Sequence, residues 1–204
     1  MLDIVNHANR SSSSELLQAM HVDRKRIFVD WLGWDVPHDG RHEADQFDDE
    51  DAEYLILRSE DGGHLGSVRL LRTDRPHLLG SVFAHLCSDP LPTGPYVREI
   101  TRLCISPDCE QDRRRPVMRA LMSALVEYGL LCGIETYTAI TDMALLSRII
   151  AVGWRCRPLG LPQAMGSAEV CALRIDIDAG TLKHLRATGR YVPLTMRTVA
   201  ELAA

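Results

Sequence analysis

The sequence predicts a mixed α/β (α+β) domain, a sheet with helices on its faces. Three observations lead there. Short runs rich in Val, Ile, Leu and Tyr, bounded by turn residues, recur between Tyr54 and Ile177. Longer apolar segments at 117–132 and 143–151 carry helical spacing and helix-ending residues. The resulting order of helix, hairpin, strand, helix, strand, helix, strand is neither all-α nor all-β.

The first element is a helix. Ser11 to Ser14 precede Glu15 and Leu16, so a hydroxyl is expected to cap the free amides of the first turn. Leu16, Leu17, Met20, Ile27 and Phe28 keep one apolar stripe to about residue 30. Residues 34–51 contain Pro37, Asp39-Gly40 and many acids, and read as a loop. Residues 54–58 and 65–71 form a hairpin across Asp61-Gly62-Gly63. Residues 78–85 suit a short helix. Residues 97–105 read as a strand in which Val97, Ile100, Leu103 and Ile105 are interleaved with Arg98, Glu99, Thr101 and Arg102, an unusual polarity for a central position. Pro116 fits the first turn of the helix that runs to Cys132. Thr, Tyr and Ile make 134–140 a strand. Residues 143–151 form a helix ended near Gly153, and a strand at 170–177 and a short helix at 181–187 follow.

The chain has 204 residues, 46% of them hydrophobic, which suits a single domain over 1–204. A net charge of -5 argues against a nucleic-acid partner. Cys87, Cys104, Cys109, Cys132, Cys156 and Cys171 form no C-x-x-C pair and have no His at ligand spacing, so no metal is expected. His42, His64, His77 and His85 read as surface residues. No apolar run approaches the ~20 residues that span a bilayer. The start lacks the basic and apolar regions of a signal peptide. The expectation is a cytoplasmic protein with reduced thiols and no membrane partner.

The most informative stretch runs from Arg24 to Tyr54. Arg24, Phe28, Trp31 and Trp34 are followed by Glu43, Asp45, Phe47 and Asp48. A solvated segment would carry the charges without the large rings. A cationic, polar small molecule that must be held and deprotonated needs both kinds of group.

These residues resemble a family. Arg24-x-x-x-Phe28, Leu32-Gly33-Trp34, Glu43-x-Asp45-x-Phe47-Asp48 and Ala52-x-Tyr54 look like the N-terminal signature of the acyl-homoserine lactone synthases, the autoinducer synthases of quorum sensing. Gly66-x-x-Arg69-Leu70-Leu71-x-Thr73-x-x-Pro76 and Glu99-x-x-Arg102 continue it, so the match covers 24–102. Each piece alone is weak, and the ordered set is specific. The C-terminal half keeps chiefly Gly153-Trp154 and Leu159-Gly160-x-Pro162. The resemblance implies a GNAT-like, mostly antiparallel sheet flanked by helices as a three-layer sandwich. It implies that S-adenosylmethionine is a substrate, not a cofactor. Its amine attacks the thioester of an acyl-carrier protein or acyl-CoA, and its carboxylate then displaces the sulfonium. An acyl-homoserine lactone and methylthioadenosine result.

Residue chemistry suggests roles beside that resemblance. Phe28 and Trp34 can meet the adenosyl or sulfonium end, since an aromatic face attracts a cation by about 0.5–2 kcal/mol. Asp45 and Asp48 can hold the ammonium. Arg24 and Arg69 can bind the substrate carboxylate or lock the acids in place. Glu99 is the first candidate for the base that frees the amine, with Arg102 beside it in the catalytic set. On an ideal strand Arg102 would point to the face opposite Glu99, and a bulge or an ion pair with the acidic loop would reconcile the two. The bland readings stand next to these: Phe28 and Trp31 as packing, the remaining acids as a solvated face, Arg69 and Arg102 as ion-pair partners.

The acyl donor has weaker signals. Arg113, Arg114, Arg115 and Arg119 cluster at a helix start, where they can meet phosphopantetheine or a carrier protein, or simply be solvated. Ile140, Met143 and Leu146 can line an acyl pocket or fill a core. Thr138 resembles the position where family members that use 3-oxo donors carry Thr. Arg98 replaces the small residue common before the glutamate. Two other readings remain: a GNAT-like N-acyltransferase for another amine, against which stands the replacement of a Gly-rich pyrophosphate loop by Gln111-Asp-Arg-Arg-Arg-Pro, and a non-catalytic sensor of S-adenosylmethionine or an acyl thioester.

Overall fold

The computed structural model describes residues 1–166 and 168–197. Strand β1 (Leu2–Val5) leads into helix α1 (Ser14–Arg24) and a π-helical turn, Lys25–Trp31. The hairpin is β2 (Glu53–Arg58) and β3 (His64–Arg72). A short α2 (Leu78–Ser81) and a 3-10 turn (Ala84–Leu86) precede β4 (Val97–Ile105). Helix α3 (Arg114–Cys132), β5 (Thr136–Asp142) and α4 (Met143–Val152) follow. Then come β6 (Arg155–Pro158), β7 (Gln163–Met165), β8 (Ala168–Asp176), α5 (Ala179–Ala187) and β9 (Met196–Arg197).

Internal contacts divide the chain into two compact units. The first holds Met1–Leu70, Arg102–Ala124 and the chain from Val192. Its strands run in the order β9, β1, β2, β3, antiparallel except for β1 beside β9. Tyr54 lies opposite Arg69 in the register. Leu2, Leu55, Ile56, Val68 and Leu70, with Met20 of α1, are fully buried or nearly so. Each contributes about 1.5–3 kcal/mol through the water it leaves. Gly66 lets α3 approach: a Cβ there would stand 3.0 Å from Val117 and 3.2 Å from the Cys104 carbonyl.

The second unit holds Leu71–Thr101 and Leu125–Tyr191. Here β6 and β7 both pair antiparallel with β8, β8 with β5, and β5 lies parallel to Val97–Ile100 of β4. The Tyr137 hydroxyl of β5 donates to the Leu125 carbonyl of α3 at 2.9 Å. Helix α4 is capped by Asp142, which accepts from Leu145 N, and ends on Gly153 at φ 87. A Cβ at Gly153 would collide with the His184 ring, so the left-handed turn and the close approach both require glycine. A capping box of Asp178 and Thr181 opens α5.

The mostly antiparallel mixed α/β class agrees with the sequence, and the departures have local causes. Ser13 is the N-cap of α1 but makes no side-chain cap. The serine run is already wound: Ser13 N and Ser12 Oγ both donate to the Asn9 carbonyl. The α-helix stops at Arg24, where the chain widens into the π turn, and Leu32 N reaches back to Ile27 O. The expected helix at 78–85 breaks into two short turns. Strands β1, β6 and β7 are too short for a readable alternation. Two histidines expected at the surface are buried. His77 Nδ1 donates to the Arg75 carbonyl, and His64 bridges Asp23 at 2.8 Å and Ser67 at 3.0 Å. Burial would lower the His64 pKa, but the Asp23 hydrogen bond prevails and it is pushed up to about 9.

Candidate active site

In the first unit, the last turn of α1 delivers Arg24 into a closed array of guanidinium and carboxylate groups. Arg24 Nε donates to Glu43 Oε2 at 2.6 Å, and its terminal nitrogens fork onto Asp48 at 2.7 and 2.9 Å. Arg69, on β3, forks onto Asp45 at 2.6 and 3.0 Å and reaches Asp48 at 2.8 Å. Arg102, on β4, donates to Glu43 Oε1 through Nε and Nη2 and to Asp45 Oδ2 at 2.8 Å. Arg24, Arg69 and Arg102 balance Glu43, Asp45 and Asp48 charge for charge. Their side chains are all less than 10% exposed. Burial would raise the Asp48 pKa, yet the hydrogen bonds and charges of Arg24 and Arg69 hold it well below the usual carboxylate range.

The backbone explains why this loop can hold three carboxylates inward. Glu43 N donates to the His21 carbonyl at 3.1 Å, and His21 Nδ1 returns a bond to the Glu43 carbonyl at 2.8 Å, so the loop is fastened to α1. Asp45 and Asp48 tie their own turn: Asp48 N meets Asp45 O, Asp45 N meets Asp48 Oδ2, and Phe47 N meets Asp45 Oδ1. Phe47 and Tyr54 are buried beneath, and the Tyr54 hydroxyl donates to Asp48 Oδ1 at 2.8 Å.

Arg102 takes the ion-pair route that the sequence left open. It is the one non-glycine residue with positive φ among those described, at 51°, and it ion-pairs with the acidic loop. Its guanidinium carbon lies 5.6 Å from the Phe28 ring centre. Trp34 stacks on Phe28 at 4.8 Å and 16° and is 47% exposed, so the stack presents one open aromatic face. Trp31, expected to pack, is 67% exposed.

The array has consequences for each expected role. Arg24 and Arg69 are consumed by the carboxylates, which is the locking alternative. Asp48 receives both terminal nitrogens of Arg24, Arg69 Nη1, the Tyr54 hydroxyl and Asp45 N, so its lone pairs are filled. Asp45 is the most exposed of the three acids. Arg102 Nη1 makes no hydrogen bond to the described residues and keeps its donors. Glu43 was quoted in the sequence motif without a role, and Tyr54 likewise. Both prove central, Glu43 by joining Arg24 to Arg102 and Tyr54 by its bond to Asp48, and the arginines spaced among the acids of the motif set were the available signal.

In the second unit, Glu99 is fully buried on β4, and Oε1 accepts from Leu79 N at 3.0 Å. Thr138 lies opposite it in the parallel register, so the two side chains share a face. The Thr138 hydroxyl is buried and finds no partner among the described residues. Leu79 belongs to an apolar cluster with Leu86, Leu159 and Ala172, against which Phe83 and Ile140 pack. Met143 is exposed and Leu146 half-buried on α4. In the first unit, Arg113, Arg115 and Arg119 are exposed at the start of α3, while half-buried Arg114 donates to the Ser106 carbonyl at 3.0 Å. A cavity of about 610 Å³ in that unit is lined by Glu15, Asp23, Arg26, His64 and Asp108. It is lined by none of the array's side chains, and Asp23, Arg26, His64 and Asp108 are already paired with one another. No cluster of metal-ligating side chains occurs among the described residues.

Residues 6–185 match the family model described as autoinducer synthase. The chain is 35% identical over 175 residues to an acyl-homoserine-lactone synthase of Ralstonia nicotianae, covering 83% of this chain and 86% of the relative. It is 33% identical over 192 residues to an isovaleryl-homoserine lactone synthase of Bradyrhizobium diazoefficiens, covering 91% and 84%. Among solved structures, the CoA-dependent acyl-homoserine lactone synthase BjaI, with S-adenosylmethionine and isopentyl-CoA, superposes with a TM-score of 0.86. That match has 28% identity over 100% of this chain and 98% of the other.

Proposed function

The chain belongs to the autoinducer synthase family, and from that premise we propose how its own residues perform the reaction of an acyl-homoserine-lactone synthase. The enzyme joins an acyl group from a thioester to the amine of S-adenosylmethionine and closes the lactone, releasing methylthioadenosine. The observation that carries the residue assignment is the charge-neutral array of Arg24, Arg69, Arg102, Glu43, Asp45 and Asp48 beside an open Phe28–Trp34 stack.

The array is a rigid wall rather than a set of free charges. Arg102 Nη1 takes the substrate carboxylate, and Asp45, the least covered acid, meets the ammonium. The exposed face of Trp34 takes the adenosyl or sulfonium end. Arg24, Arg69 and Asp48 hold these groups in place. Glu99 accepts the proton that the ammonium must lose before its nitrogen can attack. The neutral amine then adds to the thioester carbonyl. As the carbonyl re-forms, the C–S bond breaks, and the departing thiolate takes up a proton. The substrate carboxylate next attacks its own γ-carbon, and the electron pair of the breaking C–S bond neutralises the sulfonium. The hydroxyl of Thr138, on the same face as Glu99, donates to a polar group of the acyl chain.

The donor is a thioester of phosphopantetheine, as CoA or carrier protein, and the likeness to the CoA-dependent BjaI favours CoA. Arg113, Arg115 and Arg119 meet its phosphates, with Arg114 bracing the helix start, and Ile140, Met143 and Leu146 lie on the acyl side. The family match runs across both compact units, which supports one working domain over 1–204. No disulfide links the cysteines among the described residues, in keeping with a reducing cytoplasm. No helix among the described residues is long and apolar enough to cross a membrane.

The test is to incubate the protein with S-adenosylmethionine and a panel of acyl-CoA and acyl-carrier thioesters, following methylthioadenosine and lactone by mass spectrometry. Glu99→Gln should lower kcat by about 10²–10⁴-fold with little change in S-adenosylmethionine affinity. Unchanged turnover would remove Glu99 from the base role, and binding without methylthioadenosine from any donor would overturn the reaction.

A further inference from the structure

We infer that Arg10 is a positioning residue for the S-adenosylmethionine half of the site, acting through the backbone of the acidic turn. Arg10 lies outside every motif considered above. Its Nη2 donates to the Asp48 carbonyl and its Nη1 to the Asp49 carbonyl, both at 2.7 Å. The same guanidinium lies 5.4 Å from the centre of the Tyr54 ring. Tyr54 in turn donates its hydroxyl to Asp48 Oδ1. Arg10 therefore grips the turn by its main chain and covers the ring that holds its side chain.

The geometry is suited to that task. Guanidinium is a planar fork, and two successive carbonyls present acceptors at the spacing of its terminal nitrogens. Asp48, Asp49, Glu50 and Asp51 are consecutive acids on one short turn, and like charges so close favour opening it. A cation bonded to the carbonyls of the first two opposes that opening without using up a carboxylate. The side chain of Asp48 is thus held by Arg24, Arg69 and Tyr54, and its backbone by Arg10. Asp45 shares the turn through Asp45 N to Asp48 Oδ2, so a displacement of Asp48 moves the acid assigned to the ammonium.

This inference rests on the reading that the array binds S-adenosylmethionine, and the experiment separates the two. Arg10→Gln loses the charged fork and should raise the KM for S-adenosylmethionine about tenfold, with kcat at saturation and the KM for the acyl thioester within about twofold of wild type. Arg10→Lys keeps the charge but reaches one carbonyl at a time, and should fall between the two. Trp34→Ala, which removes the exposed face from the site itself, serves as the control. Loss of active protein alone would lower apparent kcat and leave both KM values alone, and that pattern would overturn the positioning role. So would an unchanged KM in Arg10→Gln while Trp34→Ala raises it. If Trp34→Ala also leaves the KM for S-adenosylmethionine unchanged, the site reading fails and the Arg10 role with it. Should Arg10→Gln not fold, Arg10→Lys decides: an S-adenosylmethionine KM equal to wild type overturns the inference.

Discussion

Replacing Glu43 by Gln tests whether the array is balanced as a unit. The two side chains have nearly the same shape, so what changes is charge and donor pattern. Glu43 is fully buried, with Oε2 2.6 Å from Arg24 Nε and Oε1 at 3.1 and 2.9 Å from two nitrogens of Arg102. An amide can offer its oxygen to only one of these arginines. If that is Arg102, the amide nitrogen stands against the Arg24 N–H, donor against donor, in a site without exposed surface. The array also keeps its arginines while losing one of its acids, leaving an uncompensated buried cation. Removing one partner of a buried pair costs about 3–5 kcal/mol, against a total stability of about 5–15 kcal/mol for a domain. Urea unfolding of Glu43→Gln should therefore show a much lower midpoint at unchanged slope. Replacing Arg102 by Gln in the same chain should recover part of the loss, because charge is balanced again. A destabilisation below about 1 kcal/mol in Glu43→Gln would refute the claim that the array is balanced as a buried unit.

Other expectations follow from the same structure. His64 carries a folded pKa of about 9 against an ordinary 6.5, so its pairing stabilises fully below 6.5 and the contribution is lost as pH rises through 9. At about 1.4 kcal/mol per pH unit the span amounts to about 3 kcal/mol, and His64→Gln should flatten stability between pH 6.5 and 9.5, which urea midpoints across that range will check. Gly66→Ala should cost about 1–3 kcal/mol by thermal unfolding, because its Cβ meets Val117 and the Cys104 carbonyl with no flexible group to yield between them. Reversing charge at Arg113 and Arg115 should raise the KM for the acyl thioester and leave that for S-adenosylmethionine alone, and the difference should shrink with added salt. An equal effect at high salt would count against a phosphate contact.

What the sequence made legible was local. The hairpin announced itself through Asp61-Gly62-Gly63, and α4 through a helical stripe stopped by Gly153, because turn chemistry and period lie within a few residues. The polarity of β4 was visible too, as was the set of arginines and acids. Pairing was not visible. Arg102 meets Glu43 across 59 positions and His64 meets Asp23 across 41, and no periodicity links residues so far apart. Hence His64 read as a surface residue, and the donors that surround Asp48 left no sign in the sequence. The π turn escaped for another reason: Phe28 and Ile27 fit an α stripe well enough that one extra residue per turn leaves no mark.

The backbone at Arg102 narrows what evolution can try there. A residue at φ 51 that is not glycine carries a local strain of about 1–2 kcal/mol. Glycine would relieve it and leave the array one cation short, with Glu43 and Asp45 held only by Arg24 and Arg69. Asn, the next most tolerant of that conformation, brings no charge either. Lysine would restore the charge, suffer the same strain and fail to fork. Every exchange by a single step thus loses on one count or another. The position is a dead end for gradual change, and it can be left only by altering the acids it serves at the same time.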